Sequence, residues 1–294
     1  MAMALRLVNY LPADRPDLPP RVGALAGEGL IDVAEACEEM DAECGCAGSA
    51  LALLCCPDCL AMVREALAGA EPHIALDAVK LLAPVPRPGK LFCLAGNYEE
   101  HIREGGRQEV HGSDRATPRV FMKPVPNTVC GQGDPIPVAR TTQFLDYEGE
   151  LGVVIGRRAR NLKREEVWKH VRGFTCVNDI TARDLQAKDG QWTRAKGFDT
   201  FCAVGPWIVP CGEAPLHDLR IRTFVNDEKK QDASVRDMVF DIPRIIQFIT
   251  EFMTLLPGDL IATGTPAGVG PLSPGSVVRV DIEGIGVLEN TVIR

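Results

Sequence analysis

The chain has 294 residues, 46% apolar and 24% charged, which is long enough for a large core without disulfide staples and too balanced for a disordered polypeptide. Its 32 basic and 40 acidic side chains leave a formal charge of −8, which disfavours a broad nucleic-acid or anionic-membrane surface. An anionic small substrate stays compatible, because a bound cation can reverse the field locally.

No apolar run reaches the ~18 residues of a membrane span. The N-terminal MAMALRLVNYLPADRPD lacks the basic start and apolar core of a signal peptide, so a cytoplasmic location is expected. The cysteine count of 11 is high, and Cys37, Cys44, Cys46, Cys55, Cys56 and Cys59 crowd into the N-terminal quarter. Without a secretory signal these are expected as thiols and not as a disulfide framework.

In chain order, Leu5 to Val8 alternates like a short strand. Val22 to Val33 is apolar and broken by glycines, as in a hairpin entering a helix. Ser49 to Ala70 has a helical pattern interrupted by Pro57. Leu82 to Lys90, LAPVPRPGK, reads as a linker. It is expected to separate a small Cys-rich N-terminal domain, 1–85, from a larger domain, 86–294.

LFCLAGNY predicts a buried strand ending at Gly96, and EEHIREGG a short helix closed by Gly105. Residues 107–118 are polar and predict a mobile loop. VFMKPVPNTV, YEGELGVVIG, GFTCVNDI, FDTFCAVGPWIVP, IRTFVNDE, GDLIATG and the segment 276–293 predict strands. REEVWKHV predicts a short helix. DIPRIIQFITEFMTLL predicts an amphipathic one, with Ile245, Phe248, Ile249 and Phe252 on one face. Many strands and few helices, without βαβ alternation, predict a β-rich α+β fold.

Glu148 and Glu150 lie two apart in a predicted strand, so both carboxylates point to one face. Tyr147, Leu151, Val153 and Ile155 take the other face, as core residues would. Asp179 ends another apolar strand and can supply a third oxygen. Adjacent carboxylates repel, and a divalent cation relieves that repulsion; a solvated charged face is the alternative. An all-oxygen set suits Mg²⁺ or Mn²⁺ better than Zn²⁺.

His101 and Glu104, three apart on a helix, can pair as a general base and its orienter, or be a plain surface pair. Lys196, among apolar and aromatic residues, can support an oxyanion or snorkel to solvent. ATGTPAGVG is a glycine turn with no phosphate-loop Gly-Lys-Ser/Thr, open to close backbone approach by a ligand or to a plain tight turn. Cys44-x-Cys46 and Cys56-x-x-Cys59 could hold a structural zinc; reduced thiols around a helix are the favoured reading.

Six segments, GNYEEHIRE, DYEGELGVVIG, VNDITARDLQ, WTRAKGFDTFCAVGPWIV, LLPGDLIATGTPAGVG and IEGIGVLENTV, together resemble the fumarylacetoacetate hydrolase family over about residues 90–294. The resemblance implies a mixed β-roll or distorted barrel behind a small N-terminal domain, usually as a homodimer. It implies Glu148, Glu150 and Asp179 as ligands of one Mg²⁺ or Mn²⁺ per active site. His101 and Glu104 match a catalytic dyad carried on a lid, and Lys196 a lysine that polarises the substrate carbonyl. Gln186 and Thr265 match substrate contacts; Arg183 matches one less well, since it can instead pair with a carboxylate.

The implied activity is cleavage of a C–C bond in a small 2,4-dioxo acid, of acylpyruvate or fumarylpyruvate type, through an enolate held at the metal. The alternatives are isomerisation, tautomerisation or decarboxylation of 2-hydroxyhepta-2,4-diene-1,7-dioate or oxaloacetate type, or a ureidoglycolate-lyase-like reaction. The expected partners are a small 2-oxo acid and a second copy of the chain, with no nucleic acid and no membrane. The loop 107–118 is longer than a minimal lid.

Overall fold

Long apolar runs bounded by glycine and proline make buried strands, and they dominate this chain. A computed structural model describes residues 5–38, 46, 48–104, 117–217 and 219–294. Strands account for 38% and helices for 23%, which bears out a β-rich α+β fold; several sheets form and none closes into a barrel among the described residues. The expected closure by Gly105, the loop 107–116 and Cys44 lie outside the described residues.

The largest sheet has 12 strands. At its centre Gly149–Ile155 runs antiparallel to Val171–Asp179 on one side and to Leu260–Ala262 on the other. Val171–Asp179 continues to Cys202–Pro210, and Leu260–Ala262 to Leu91–Ala95, which pairs with Arg119–Met122. The N-terminal strand Leu7–Pro12 joins the same sheet through Leu7 opposite Ile208. Arg21–Ala26 and Gly29–Asp32 form the expected hairpin, followed by the helix Val33–Glu38. Asn9 donates to the carbonyls of Ala83 and Pro84, so the proline-rich segment lies against this strand.

Both faces of the central sheet are covered. Leu151, Val153 and Ile155 enter one apolar cluster and Val154 the other, so the middle strand is buried throughout. The first cluster is capped by the helix Ile242–Phe252, which starts with Asp241 accepting from the Arg244 N–H and with proline in its first turn. Its buried stripe is Ile242, Ile245, Ile246 and Ile249. Phe252 stays outside, edge-on to Phe248, so the face predicted from Phe248 and Phe252 is rotated toward the isoleucines. Each isoleucine buried there contributes about 1.5–3 kcal/mol. The second cluster is covered by the helices Ala50–Cys55 and Pro57–Leu67, divided at Pro57 as predicted.

Three local expectations need correction. The strand predicted across YEGELGVVIG is two strands, Leu145–Tyr147 and Gly149–Ile155, which belong to different sheets and meet at Glu148. REEVWKHV forms a 3₁₀ segment, Arg164–Lys169. Two helices were not foreseen, Arg183–Asp189 and Thr193–Lys196, because their polar sequences show no apolar periodicity. No described helix is long and apolar enough to cross a membrane.

Candidate active site

Strand register assembles the carboxylates. Gly149 lies opposite Asn178, so the next pair outward is Glu148 and Asp179, joined by the Asp179 N–H donating to the Glu148 carbonyl at 2.9 Å. Opposed residues in an antiparallel pair share a face, and Glu150 shares it two positions along. The three side chains are buried and each offers an oxygen within 4.8 Å of the others. Gly149 is needed between them: a Cβ there would lie 2.1 Å from Thr223 Oγ1 of the neighbouring sheet.

Cations surround two of the three carboxylates. Lys196, buried at the end of Thr193–Lys196, donates to Glu148 Oε2 at 2.8 Å and to Asp179 Oδ2 at 2.7 Å. Arg183 donates to Glu148 Oε1 at 2.6 Å, to Asp146 at 2.7 Å and to Gln186 Oε1 at 2.7 Å. Lys123 donates to Asp179 Oδ1 and to the carbonyls of Ile180 and Phe201. Burial alone would push the Glu148 carboxyl up, but the charges of Lys196 and Arg183 prevail and hold it well below the usual carboxylate range.

Glu150 differs. Its Oε2 accepts the Gly264 N–H at 2.6 Å, and its Oε1 is buried without a hydrogen-bond partner. Burial, then the charges of Asp179 and Glu148, drive its carboxyl well above the usual range. A buried carboxylate oxygen aimed at two others and lacking a cation of its own fits a divalent metal site. The donor set is all oxygen, which matches a hard ion such as Mg²⁺ or Mn²⁺. With all groups ionised, four carboxylates (Asp146 included) face three cationic side chains. A divalent ion would turn that net negative cluster positive, as an anionic substrate requires.

The remaining predicted residues converge from two sides. His101 and Glu104 lie on the helix Glu99–Glu104, with Nδ1 3.4 Å from Oε2, and the charge of His101 is among those that lower Glu148. Both oxygens of Glu104 accept the Gly268 N–H at 3.0 Å, which docks this helix on the glycine turn. Thr265 Oγ1 donates to the Gly149 carbonyl and accepts from Gln231 Nε2. Gln186 is buried and held by Arg183. Arg183 is thus engaged with Asp146, Glu148 and Gln186, the structural pairing that was its alternative.

Sequence reasoning missed Lys123, Asn97 and Gln231. Asn97 donates to the carbonyls of Phe240 and Thr263 and accepts from the Phe240 N–H, so it locks the strand end Leu91–Ala95 beside the glycine turn. Gln231 accepts from the Gly149 N–H and donates to Thr265 and to the Pro266 carbonyl. The one available signal was Lys123 itself, a charge directly after the apolar Val120–Met122 and before a proline. Asn97 and Gln231 act through backbone geometry and carried no such mark.

Comparison with known proteins agrees with this geometry. The sequence profile of the fumarylacetoacetate (FAA) hydrolase C-terminal region matches residues 90–293. The chain belongs to the fumarylacetoacetate hydrolase family. It is an enzyme of that family. Protein Rv2993c of Mycobacterium tuberculosis is 48% identical over 222 residues, spanning 74% of this chain and 80% of its own. Oxaloacetate tautomerase YisK of Bacillus subtilis is 41% identical, spanning 74% of each chain. The crystal structure of 2-hydroxyhepta-2,4-diene-1,7-dioate isomerase from Mycobacterium marinum matches with a TM-score of 0.74 and 34% identity over 99% of both chains. That of the fumarylacetoacetate hydrolase from Exiguobacterium antarcticum matches at 0.77, with 34% identity over 99% of both.

In this family member the glycine turn is a test point. Gly264 has φ +95, and a Cβ there would lie 2.7 Å from the Asn97 Cβ. Gly264→Ala is expected to cost about 1–3 kcal/mol of stability. It should also weaken turnover, because the N–H that orients Glu150 moves. Denaturant melts and steady-state rates of the variant check both; an unchanged melt with full activity would show that the turn tolerates a side chain.

Proposed function

We propose that this enzyme interconverts the keto and enol forms of a small 2-oxo dicarboxylic acid of oxaloacetate type, with a divalent cation in the Glu148, Glu150, Asp179 site. The observation that carries the reading is Glu150 Oε1, buried and unpartnered beside two cation-stabilised carboxylates. The relatives named oxaloacetate tautomerase and heptadienedioate isomerase support the substrate class. When bound, Mg²⁺ or Mn²⁺ supplies Lewis acidity toward a 2-oxo oxygen.

The chain's own residues do the rest. Lys196 and Arg183 fix the carboxylates and offset charge that builds on the substrate oxygen. His101, oriented by Glu104, takes the proton from the carbon beside the carbonyl in one direction and returns it in the other. Gln186 and Thr265 line the approach as substrate contacts. The same His101–Glu104 pair favours a second reading, in which it activates water and a 2,4-dioxo acid is cleaved at a C–C bond.

Following enol absorbance of oxaloacetate, beside 2-oxo acid release from acylpyruvates, separates the two. Enol–keto exchange that a chelator abolishes, without product release, is expected. Chelator-sensitive release of a 2-oxo acid would replace it with the hydrolytic reading, and no turnover of either substrate would overturn both. His101→Asn is expected to lower turnover about 10²–10⁴-fold while metal content, read by mass spectrometry, stays unchanged. A loss of metal instead would make His101 part of the ion's site and not a proton carrier. We further propose a cytoplasmic homodimer, to be checked by sedimentation and cell fractionation.

A further inference from the structure

A second group of ligating atoms lies outside the carboxylate site. We propose that Cys46, Cys56 and Cys59 form a structural zinc site that ties the junction of the helices Ala50–Cys55 and Pro57–Leu67 to the turn at Cys46. The thiol sulfurs of these residues all lie within 4.8 Å of one another. The preference for plain packing thiols drawn from the sequence gives way to this convergence.

Local structure explains the arrangement. Cys56 ends the helix Ala50–Cys55 and begins Pro57–Leu67, with its own N–H donating to the carbonyls of Ala52 and Leu53. Pro57 fixes the start of the second helix, and Cys59 follows one turn into it, so the Cys56-x-x-Cys59 sulfurs face each other across the first turn. Cys46 comes from the preceding turn.

Two sulfurs would suit a redox pair, but a third at the same point is surplus to a disulfide and is what a soft-ligand ion needs. Zinc is the thiolate-binding ion without redox chemistry of its own. Each bound thiol releases its proton on binding. A tetrahedral ion takes one further ligand, which water can supply. The group is half-buried, and Cys46 and Cys59 pack on the apolar cluster of Leu53, Leu54 and Val63. The helices it joins have 6 and 11 residues, too short to hold by propensity alone. The proposal is independent of the reaction assigned to the carboxylate site.

The test uses the full chain purified without chelator. Elemental analysis is expected to find about one zinc per chain that survives a chelator wash sufficient to remove Mg²⁺ or Mn²⁺ and is released when a mercurial blocks thiols. Cobalt substitution should give sulfur-to-cobalt charge-transfer bands in the near ultraviolet. Those bands should persist in Glu148→Gln and vanish in the Cys56→Ser, Cys59→Ser double variant, which should keep its turnover and melt at lower temperature. If the double variant does not fold, the cobalt spectrum of the unaltered chain decides. No zinc with all thiols titrating freely, a Cys56–Cys59 disulfide by mass, or cobalt bands lost in Glu148→Gln would each overturn the proposal.

Discussion

Glu150→Gln is expected to abolish turnover and yet raise the melting temperature of the chelator-treated protein. The loss of turnover should be about 10²–10³-fold or more, the scale of removing one preorganised charge-stabilising group. The gain in stability follows from the buried oxygen that has no partner. Burial and the charges of Asp179 and Glu148 raise this carboxyl above its unfolded value. An acid raised on folding carries no penalty below its unfolded pKa, and the penalty grows as pH climbs toward the folded pKa. Glutamine removes it. The difference between variant and parent should therefore be near zero around pH 4, below the ordinary carboxyl pKa, and widen as pH rises above it, by about 2–4 °C for each kcal/mol in a chain of this size.

Saturating Mg²⁺ or Mn²⁺ should reverse the order, because the ion stabilises only the protein that binds it. Differential scanning calorimetry with chelator and with metal, at several pH values, gives all four curves. Parallel curves with no crossing on metal addition would mean that Glu150 is an ordinary buried carboxyl and not a ligand.

Lys123→Met is expected to be the most destabilising single change in the site, at about 3–5 kcal/mol, because it removes one cation of a buried ion-pair cluster and leaves Asp179 Oδ1 and two buried carbonyls without their donor, with only Lys196 still on Asp179 Oδ2. Lys123 is 1% exposed and bonds the Asp179 carboxylate and the carbonyls of Ile180 and Phe201, so one ammonium satisfies three acceptors on two strand ends. Lys123→Arg should not rescue, since the planar fork is wider and cannot reproduce three contacts from a point donor. Combining Lys123→Met with Asp179→Asn should cost less than the sum of the two, as coupled partners do. Urea midpoints of the four proteins measure this cycle. A single-variant cost under about 1 kcal/mol, the range of exposed pairs, would show that water reaches the ammonium.

Glu148 and Glu150 could be put on one face from sequence by strand alternation, whereas the approach of Asp179 depends on the register that sets Gly149 opposite Asn178. The glycine turn was found as a turn, and its partner contacts were not, since which N–H meets Glu150 or Glu104 depends on how three sheets meet. Lys196 was found as an apolar-flanked lysine, whereas its two carboxylate partners come from register. The break at Glu148 escaped notice because an apolar run gives no sign of where a chain leaves one sheet for another. The helix Arg183–Asp189 escaped because its exposed side carries polar residues and only Leu185 and Gln186 are buried. Its position could be learned only from the bonds Arg183 makes.

The burial of Gly149–Ile155 on both faces has a kinetic consequence. The strand is flanked by Val171–Asp179 along its length and by Leu260–Ala262 over Gly152–Val154, so isotope exchange at its centre requires the whole molecule to open. The helix Glu99–Glu104, which has no buried residue and is held to the glycine turn through Glu104, should exchange by local opening. The rim on the His101 side then opens often, while the sheet floor that carries Glu148, Glu150 and Asp179 keeps its shape for the lifetime of the folded state.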